Sequence, residues 1–457
     1  MKPMKWSTPL VVLALLFAVA GAADAQAITE QSFLDAYNKA QAASKAADAA
    51  KAELLWKKAV DLAEILYGEA HRNTAASYYG LAGAFAAAED YKSAAAWYGK
   101  AVAAYAKVLG EADPDLARLR ETAARACVKT GDYKSACTLL NAALPVLRKA
   151  EGPSSPLVAQ TLYELGDALL AIGDNEGALA DLKDSLDIAK SIGVTDPDML
   201  YGLSDDLGAA SYNSGKYPEA AAHYEDALAI AKKELGSDDP SLATDHRDAA
   251  DARLAAHDYK EAGAHYLEAA RILELDSGSD PKLVASINSD LGACLLALGD
   301  AAGALASYQK ALLYYGRAKD ADALDKAGVE RDIANLYKSE KDYEKAVFHY
   351  EEAIRIAGGS KKGGDLLAEC GPKLRDSCFA LGDARLSAGA YADSLAFYEK
   401  ALTAINDLPG SQDVDRAIAY QKLSVLKGNM EDYDAAIAFV TKELEIVAKL
   451  EGENSTA

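Results

Sequence analysis

Three histidines recur at one place in a repeated pattern and are the side chains best suited to metal chemistry. His223, His265 and His349 are each followed by tyrosine, and they lie 42 and 84 residues apart (265 − 223 and 349 − 265). Imidazoles on neighbouring helices about 10 Å apart could converge on a metal ion. A closed site needs about four ligands, however, and such histidines also cover the outer faces of helices as amphipathic side chains. We therefore predict no metal site and no cofactor.

The five cysteines raise the question of disulfides. Cys127 and Cys137 are predicted to lie on the two helices of one hairpin, where an oxidising compartment would permit a bond between them. The alternative is a pair of buried thiols. Cys294 occupies a core position. Cys370 and Cys378 flank an irregular joint that a bond would fix, although a regular helix between them would hold the two sulfurs too far apart.

Motifs of common enzyme classes are absent from the sequence. It contains no Gly-x-Ser-x-Gly, His-Glu-x-x-His or Cys-x-x-Cys, and no glycine-rich phosphate-binding loop. These patterns position nucleophiles, metal ligands and phosphates in hydrolases, metalloproteases, redox proteins and nucleotide-binding proteins. We therefore predict no catalytic residues and a protein that is not an enzyme.

A short turn motif divides the chain into repeats. Its third residue, called the turn residue below, recurs every 42 residues (133 − 91), with one interval of 48 (391 − 343). A degenerate copy of the motif lies around Ala49. A fixed period of this size predicts a solenoid of repeats. The copies are Glu89-Asp90-Tyr91, Gly131-Asp132-Tyr133, Gly173-Asp174-Asn175, Gly215-Lys216-Tyr217, His257-Asp258-Tyr259, Gly299-Asp300-Ala301, Lys341-Asp342-Tyr343, Gly389-Ala390-Tyr391 and Glu431-Asp432-Tyr433.

The residues around each turn predict two helices. Small, large and small residues follow the turn residue by three, seven and ten positions, as in Ala94, Tyr98 and Ala101, and these offsets lie on one helical stripe. A leucine and a small residue precede the turn, as in Leu207-Gly208. Small residues let two helix backbones approach closely while the large side chain fills the space beside them. We therefore predict an all-α fold of antiparallel helical hairpins.

These features resemble the tetratricopeptide repeat (TPR) family, in particular its long-helix branch typified by the kinesin light chain. The resemblance covers about residues 33 to 450 and includes joints such as Leu109-Gly110-Glu111-Ala112-Asp113-Pro114, in which glycine ends one helix and a capping residue with proline begins the next. It implies a right-handed superhelix of about ten hairpins. It also implies a concave groove, lined by the first helix of each hairpin, that binds proteins.

The resemblance places the groove at fixed positions before each turn residue, namely fifteen, twelve, eight and five. Rings and charges of both signs concentrate near the middle of the array, where we expect the ligand. The asparagine ladder of kinesin light chains is missing, and no carboxylate clamp is predicted. The implied groove residues are Tyr79, Arg118, Glu121, Arg125, Tyr163, Asp167, Asp205, Tyr212, Arg247, Asp251, Arg331, Asn335, Lys338, Phe379 and Asp383.

The first 25 residues read as an export signal. Lys2 and Lys5 precede an apolar run from Leu10 to Ala20, and Ala23-Asp24-Ala25 provides the small residues of a cleavage site. The predicted organisation is a signal peptide (1–25), about eight TPR repeats (26–357), a Gly/Lys-rich insertion (358–371), two further repeats (372–450) and a tail (451–457). The insertion serves either as a hinge or as a surface insertion without a role. Periplasm or secretion is the expected destination.

The charge of the chain limits the classes of partner. Its formal net charge is −22 at pH 7, and a negative surface repels the phosphates of nucleic acids and anionic lipids. We predict an exported, non-enzymatic scaffold that binds a protein or peptide in its groove. The alternatives are a self-associating structural component of an envelope complex, and a metal-binding or enzymatic protein that uses the histidines.

Overall fold

The structure, a computed structural model, is all-α in the part of the chain that it describes, which confirms the predicted fold class. It describes residues 28–276, 278–318, 323–408 and 412–454, with side chains to 450. The predicted signal peptide and its cleavage site lie outside the described residues. The helices are α1 (Glu30–Lys45), α2 (Ala49–Tyr67), α3 (Arg72–Ala87), α4 (Tyr91–Leu109), α5 (Pro114–Lys129), α6 (Tyr133–Glu151), α7 (Pro156–Ala171), α8 (Asn175–Ser191), α9 (Pro197–Asn213), α10 (Tyr217–Leu235), α11 (Leu242–Ala255), α12 (Tyr259–Leu275), α13 (Pro281–Ala297), α14 (Ala301–Tyr315), α15 (Ala323–Ser339), α16 (Tyr343–Gly358), α17 (Gly364–Ser387), α18 (Tyr391–Asp407), α19 (Asp413–Asn429) and α20 (Tyr433–Asn454).

The chain forms two compact units, Met1–Ser214 and Gly215–Ala457. In the first unit, α1/α2, α3/α4, α5/α6 and α7/α8 pack as hairpins, followed by α9. In the second, α10 is followed by the hairpins α11/α12, α13/α14, α15/α16, α17/α18 and α19/α20. The odd-numbered helices are called first helices below, and the even-numbered helices second helices. Each first helix except α1 also packs against the preceding second helix of its own unit.

The turn motif is explained by the backbone between the two helices of a hairpin. Its first residue has a positive φ, as at Gly131 (77°) and Gly299 (83°), a conformation that glycine adopts without steric cost. Lys341 occupies the same position at 64°. Its second residue caps the following helix, since the Asp132 side chain accepts a hydrogen bond from the backbone N–H of Ser135. A left-handed residue therefore marks these turns, and in most copies a capping aspartate follows it, although Ala390 makes no side-chain cap.

The core of each hairpin forms where the spacing predicts it. Ala94, Tyr98 and Ala101 on α4 are all buried. Large side chains lie directly on glycine backbones of the neighbouring helix, and a Cβ on Gly292 would meet the Tyr308 ring at 2.7 Å. Because only glycine leaves this space, the Leu-Gly pair of the first helix and the ring of the second are parts of one contact.

The predicted insertion 358–371 is only partly irregular. Helix α16 ends at Gly358 and α17 begins at Gly364, so only residues 359–363 lie between helices. Residues 364–371, the second part of the predicted insertion, form the first two turns of α17. Pro372 lies inside this helix. Cys370 and Cys378 share the same helix as buried, free thiols.

The joint before α11 differs from the predicted pattern, in which a proline is the first residue of the helix. Pro240 precedes α11, which begins at Leu242 rather than at the proline. Ser241 stands at the N-cap with helical φ and ψ and makes no side-chain cap.

Within the residues that the structure describes, no helix is long and apolar enough to cross a membrane.

Candidate functional site: the surface of the first helices

Predicted groove residues contact side chains of the next first helix at a fixed register. The residue eight positions before one turn lies beside the residue eleven positions before the next. Arg125 on α5 donates a hydrogen bond to Glu164 on α7 (Nε to Oε1, 2.8 Å). Lys422 on α19 likewise donates to Asp383 on α17 (Nζ to Oδ1, 2.7 Å). This register makes the surface a row of side-chain pairs that link consecutive repeats.

In the first unit the same register brings two carboxylates together. Asp167 on α7 and Asp206 on α9 occupy the positions of Arg125 and Glu164, and neither forms an ion pair with any described residue. Burial, followed by repulsion from Asp167 and Asp205, raises the pKa of Asp206 to about 7. The first unit therefore has a carboxyl group that is only partly ionised at neutral pH.

Tyr163 borders this acidic group. Its hydroxyl is so close to α9 that a Cβ on Gly202 would meet it at 2.3 Å. Burial, and then the charges of Asp206, Asp167 and Asp205, raise the pKa of Tyr163 to about 12. Of the predicted residues, the structure thus brings together Tyr163, Asp167 and Asp205.

The second unit repeats the arrangement with a cation nearby. Asp251 on α11 faces Asp290 on α13 at the same register, and Asp290 forms no ion pair within the described part of the chain. Burial and then Asp251 raise the pKa of Asp290 to about 7, while the Arg247 guanidinium opposes this effect. Arg247 itself pairs with Asp248 (Nη2 to Oδ1, 3.1 Å). The acidic group of this unit is therefore incompletely neutralised.

Towards the C-terminal end of the second unit, the surface is neutralised by ion pairs. Arg331 on α15 contacts Asp332 at 2.9 Å and Glu369 of α17 at 3.1 Å. Lys338 on α15 contacts Asp376 of α17 at 3.4 Å. These ion pairs distinguish the α15/α17 contact from the Asp251/Asp290 contact, where like charges meet.

Three groove residues are hydrogen-bonded to buried tyrosines of their own hairpin. The Tyr266 hydroxyl donates to Asp251. The Tyr350 hydroxyl donates to Asn335 at 2.7 Å. The same bond joins Tyr398 to Asp383 at 2.6 Å. These groove residues therefore also anchor the second helix of their hairpin.

Other predicted residues are less available for a ligand than the spacing suggests. Glu121 is buried and accepts a hydrogen bond from the Thr161 hydroxyl at 2.5 Å. Arg118 pairs with Asp115 and Glu151. The ring of Phe379 lies under the Lys422 ammonium, 5.4 Å from its centroid. Tyr212, in contrast, is exposed.

The position eleven residues before the turn was missed by the prediction. It carries an acidic residue in five successive first helices, from α7 to α15, and three of the five have raised pKa values. The signal was present in the sequence as carboxylates at a spacing of 42 residues (206 − 164). The five residues are Glu164, Asp206, Asp248, Asp290 and Asp332.

Two cavities flank Tyr79 near the start of the first unit. One has a volume of about 350 Å³ and lies between α1 and α3, where Tyr37, Trp56 and Tyr98 line it. The other, of about 230 Å³, is lined by Tyr79 together with charged residues of both signs, which include Arg72 and Asp115. Tyr79 is 46 % exposed. It therefore separates an uncharged cavity from one with charged walls.

The histidines have separate partners. His265 lies beside His246, with 3.0 Å between their Nδ1 atoms. His349 lies 2.7 Å from a Glu330 oxygen. Burial lowers the pKa of His246 to about 4, so this ring is neutral at pH 7. Among the described residues, no group of three or more His, Cys, Asp or Glu side chains is placed to hold a metal ion.

Cys127 and Cys137 are buried, free thiols in the structure. Burial raises the pKa of both sulfhydryl groups, and a raised pKa makes a thiol less reactive. The arrangement is that of the two buried thiols considered above, and the disulfide stays a prediction.

The repeat geometry agrees with a comparison against protein families. A model of the tetratricopeptide repeat matches residues 32–107, 109–191, 199–274, 283–358 and 377–449, well over half of the chain. The chain belongs to the tetratricopeptide repeat family. Each of the five matched segments of this TPR protein extends over about two repeats. No curated protein matches the sequence.

Several solved structures are similar to this chain at low sequence identity. Kinesin light chain-like repeats from Podospora anserina are 21 % identical, covering 46 % of this chain and 99 % of theirs, with a TM-score of 0.39. The C-terminal part of a TPR protein from Cytophaga hutchinsonii is 15 % identical, covering 63 % and 98 %, with a TM-score of 0.45. Apo RapI is 12 % identical, covering 81 % and 97 %, with a TM-score of 0.45.

Proposed function

We propose that this TPR protein is an exported scaffold that binds a protein or peptide partner on the surface of its first helices. TPR arrays are generally non-enzymatic scaffolds for protein interactions, and the proposal assigns no catalytic role to any residue. It assigns binding to the two acidic groups, Asp167/Asp206 in the first unit and Asp251/Asp290 in the second. The partner that these groups favour is a segment carrying lysine or arginine.

The observation that supports this proposal is the contrast between equivalent pairs. Arg125/Glu164 and Lys422/Asp383 join opposite charges at the register where the two acidic groups join like charges. Placing two partly buried carboxylates together raises the free energy of the ionised protein. A cationic side chain of a partner would reduce this repulsion by pairing with the carboxylates, as Arg125 pairs with Glu164.

A titration with a synthetic peptide tests the acidic group of the first unit. The probe is a fluorescein-labelled peptide of alternating lysine and glycine, compared by anisotropy with a glutamate–glycine peptide of equal length. Asp167→Asn with Asp206→Asn should weaken binding of the lysine peptide at least several-fold. The matched control, Asp61→Asn with Asp226→Asn, removes two negative charges from exposed sites on second helices and should retain binding.

Two outcomes would contradict the assignment. Equal loss of binding in both double variants would mean that only the net charge of −22 attracts the peptide. Binding that is stronger at pH 5 than at pH 8 would also contradict it, because protonation of Asp206 near pH 7 removes the charge that a cation should contact.

Export is supported by the sequence of the first 25 residues alone. Lys2 and Lys5, the apolar run and Ala23-Asp24-Ala25 are typical of a cleaved leader. We expect the protein recovered from an exporting host to begin at Gln26, as measured by intact mass. A recovered protein that begins at Met1 would contradict periplasmic or secreted localisation.

A second candidate function, self-association, is favoured by the surface of α20. Ile437 and Leu444 on this helix are 65 % and 61 % exposed. The equivalent residues of α18, Leu395 and Leu402, pack against a cluster that includes Leu423 of α19. We infer that a second copy of the chain covers Ile437 and Leu444, since repeats of this protein bury that face against another helix.

Light scattering tests the self-association. Ile437→Glu with Leu444→Glu should convert a dimer to a monomer without loss of helical circular dichroism. The control pair, Leu54→Glu with Ile65→Glu, changes two residues of α2 with matching exposure of 70 % and 62 % and should leave the dimer intact. Weak dimers dissociate with a Kd in the micromolar range. A wild-type protein that is still monomeric at about 50 µM would therefore rule out this function.

A further inference from the structure

The cavity between α1 and α3 differs chemically from the rest of the first-helix surface. Its lining consists of tyrosine, tryptophan, alanine, glycine, serine and glutamine side chains, without a charged residue. This is unusual for a chain in which 26 % of residues are charged. Its volume of about 350 Å³ falls in the range of small-ligand sites, about 300–1,000 Å³. The cavity is therefore suited to an uncharged group.

Two glycines shape this cavity, since Gly83 leaves it open and Gly80 makes room for the Trp56 ring of its wall. Gly80 and Gly83 on α3 stand where α7 carries Glu164 and Asp167 (164 − 80 and 167 − 83 both equal 84). The aromatic rings around the space are fixed by their own contacts. Tyr37 and Trp56 meet edge to face with centroids 4.9 Å apart, and the Trp56 indole N–H donates to a serine hydroxyl at 2.9 Å. The walls are thus preformed.

The Tyr98 hydroxyl lacks an acceptor in this cavity. Tyr98 is 6 % exposed, and its hydroxyl makes no hydrogen bond to any described residue. In three other hairpins the equivalent tyrosine donates to the residue eight positions before the turn, as Tyr350 does to Asn335. Here that position is Gly83, which has no side chain. The Tyr98 oxygen lies 3.7 Å from where a Cβ on Gly83 would stand.

We propose that this cavity binds an uncharged aromatic side chain of the partner, and that a carbonyl or hydroxyl oxygen of the same residue accepts a hydrogen bond from Tyr98. An aromatic ring fits a space walled by rings, since edge-to-face and offset contacts favour such pairs. The acceptor provides a partner for a hydroxyl that makes no hydrogen bond to any described residue. The inference rests on the proposed function, because the cavity belongs to the same surface, but it concerns a neutral ligand.

N-acetyl-L-tyrosinamide is the probe, and N-acetyl-L-leucinamide is the comparison. Both are neutral and carry the same amide groups, so they differ only in the side chain. Binding is followed by the fluorescence of Trp56 and by calorimetry. The tyrosine probe should bind with a Kd of about 0.1–1 mM, as expected for a ligand of this size, and the leucine probe at least about fivefold more weakly.

Two substitutions test the role of the hydroxyl and of the empty position. Tyr98→Phe should weaken binding of the tyrosine probe by about 2- to 10-fold, the usual worth of one hydrogen bond. Gly83→Asn supplies the acceptor that Asn335 gives to Tyr350, and it should abolish binding while the protein keeps its melting temperature or gains stability. The control is Tyr308→Phe, which changes an equivalent buried tyrosine of the second unit and should leave binding unchanged.

The results that would overturn the proposal differ from those that would overturn the proposed function. Absence of saturable binding, equal binding of the two probes, or undiminished binding to Gly83→Asn would show that the cavity is not an aromatic site. None of these depends on the acidic groups. Loss of lysine-peptide binding in the Asp167/Asp206 variant together with failure of the tyrosine probe would leave the scaffold function standing and remove only this site.

Discussion

Replacing Asp206 by asparagine should stabilise the first unit in a pH-dependent way. Asp206 has a pKa of about 7 in the folded protein, against about 3.9 for an aspartate in an unfolded chain. The folded state therefore binds more protons than the unfolded state between these values, and stability falls as the pH rises from about 4 to about 7. Above pH 7 the full penalty of the ionised carboxylate is present, and Asp206→Asn removes it.

The expected gain follows from the two pKa values. A rise from about 3.9 to about 7 corresponds to at most roughly 4 kcal/mol. Solvent screening of a carboxyl that is only half-buried reduces the expected gain to about 1–2 kcal/mol at pH 8. At pH 4.5 the folded carboxyl is protonated, and the unfolded carboxyl lies less than one pH unit above its pKa, so only a small part of the penalty is present and the gain should be well below 1 kcal/mol.

Urea unfolding followed by tryptophan fluorescence measures this effect in the correct unit. The chain has three tryptophans, and two of them, Trp56 and Trp97, lie in the described part of the first unit, while the second unit has none. Asp61→Asn is the control, because it removes the same charge from an exposed site of that unit. A gain that is equal at pH 4.5 and 8, or equal in the control, would refute the assignment of a repelled carboxylate.

Two further substitutions test the packing of the repeats. Ala227 lies ten residues after its turn residue and is 1 % exposed. Ala227→Trp should therefore destabilise the folded protein by about 1–3 kcal/mol or more through overpacking. An unchanged melting temperature would mean that this helix face is not buried in solution. Gly292→Ala should cost about 1–2 kcal/mol in urea unfolding because its Cβ would meet the Tyr308 ring at 2.7 Å. A Cβ on Gly99 would meet no atom within 4 Å, so Gly99→Ala should instead increase stability by up to about 1 kcal/mol. A loss of stability at both glycines would mean that the clash with the Tyr308 ring is not its cause.

The architecture was predictable because one contact is repeated. The spacing of Leu207-Gly208 before a turn, and of Ala94, Tyr98 and Ala101 after one, follows directly from the pitch of two packed helices. The turn motif was visible because every copy needs a left-handed residue and most copies cap the next helix with an aspartate. The start of α17 was not predicted, since glycine and proline near residue 371 normally end a helix rather than continue it.

The binding surface was less predictable because it depends on how neighbouring repeats are aligned. Family analogy identified Asp167 and Asp251, but not their partners Asp206 and Asp290. The register between first helices had to be known before like charges could be placed together. Equally, the sequence shows Gly83 as a small residue, while the empty acceptor beside Tyr98 emerges only from the geometry of the hairpin.

The tyrosine hydroxyls also decide which hydrogen-bonding capacity remains for a ligand. The carbonyl oxygen of Asn335 has two lone pairs, and it accepts from both the Tyr350 hydroxyl and the Lys373 ammonium, at 2.7 and 3.1 Å. Its acceptor capacity is therefore used up, and only its amide N–H groups can serve a partner. Asp251 keeps free lone pairs after accepting from Tyr266. Two groove residues held by the same kind of bond thus present opposite chemistry, one donating and the other accepting.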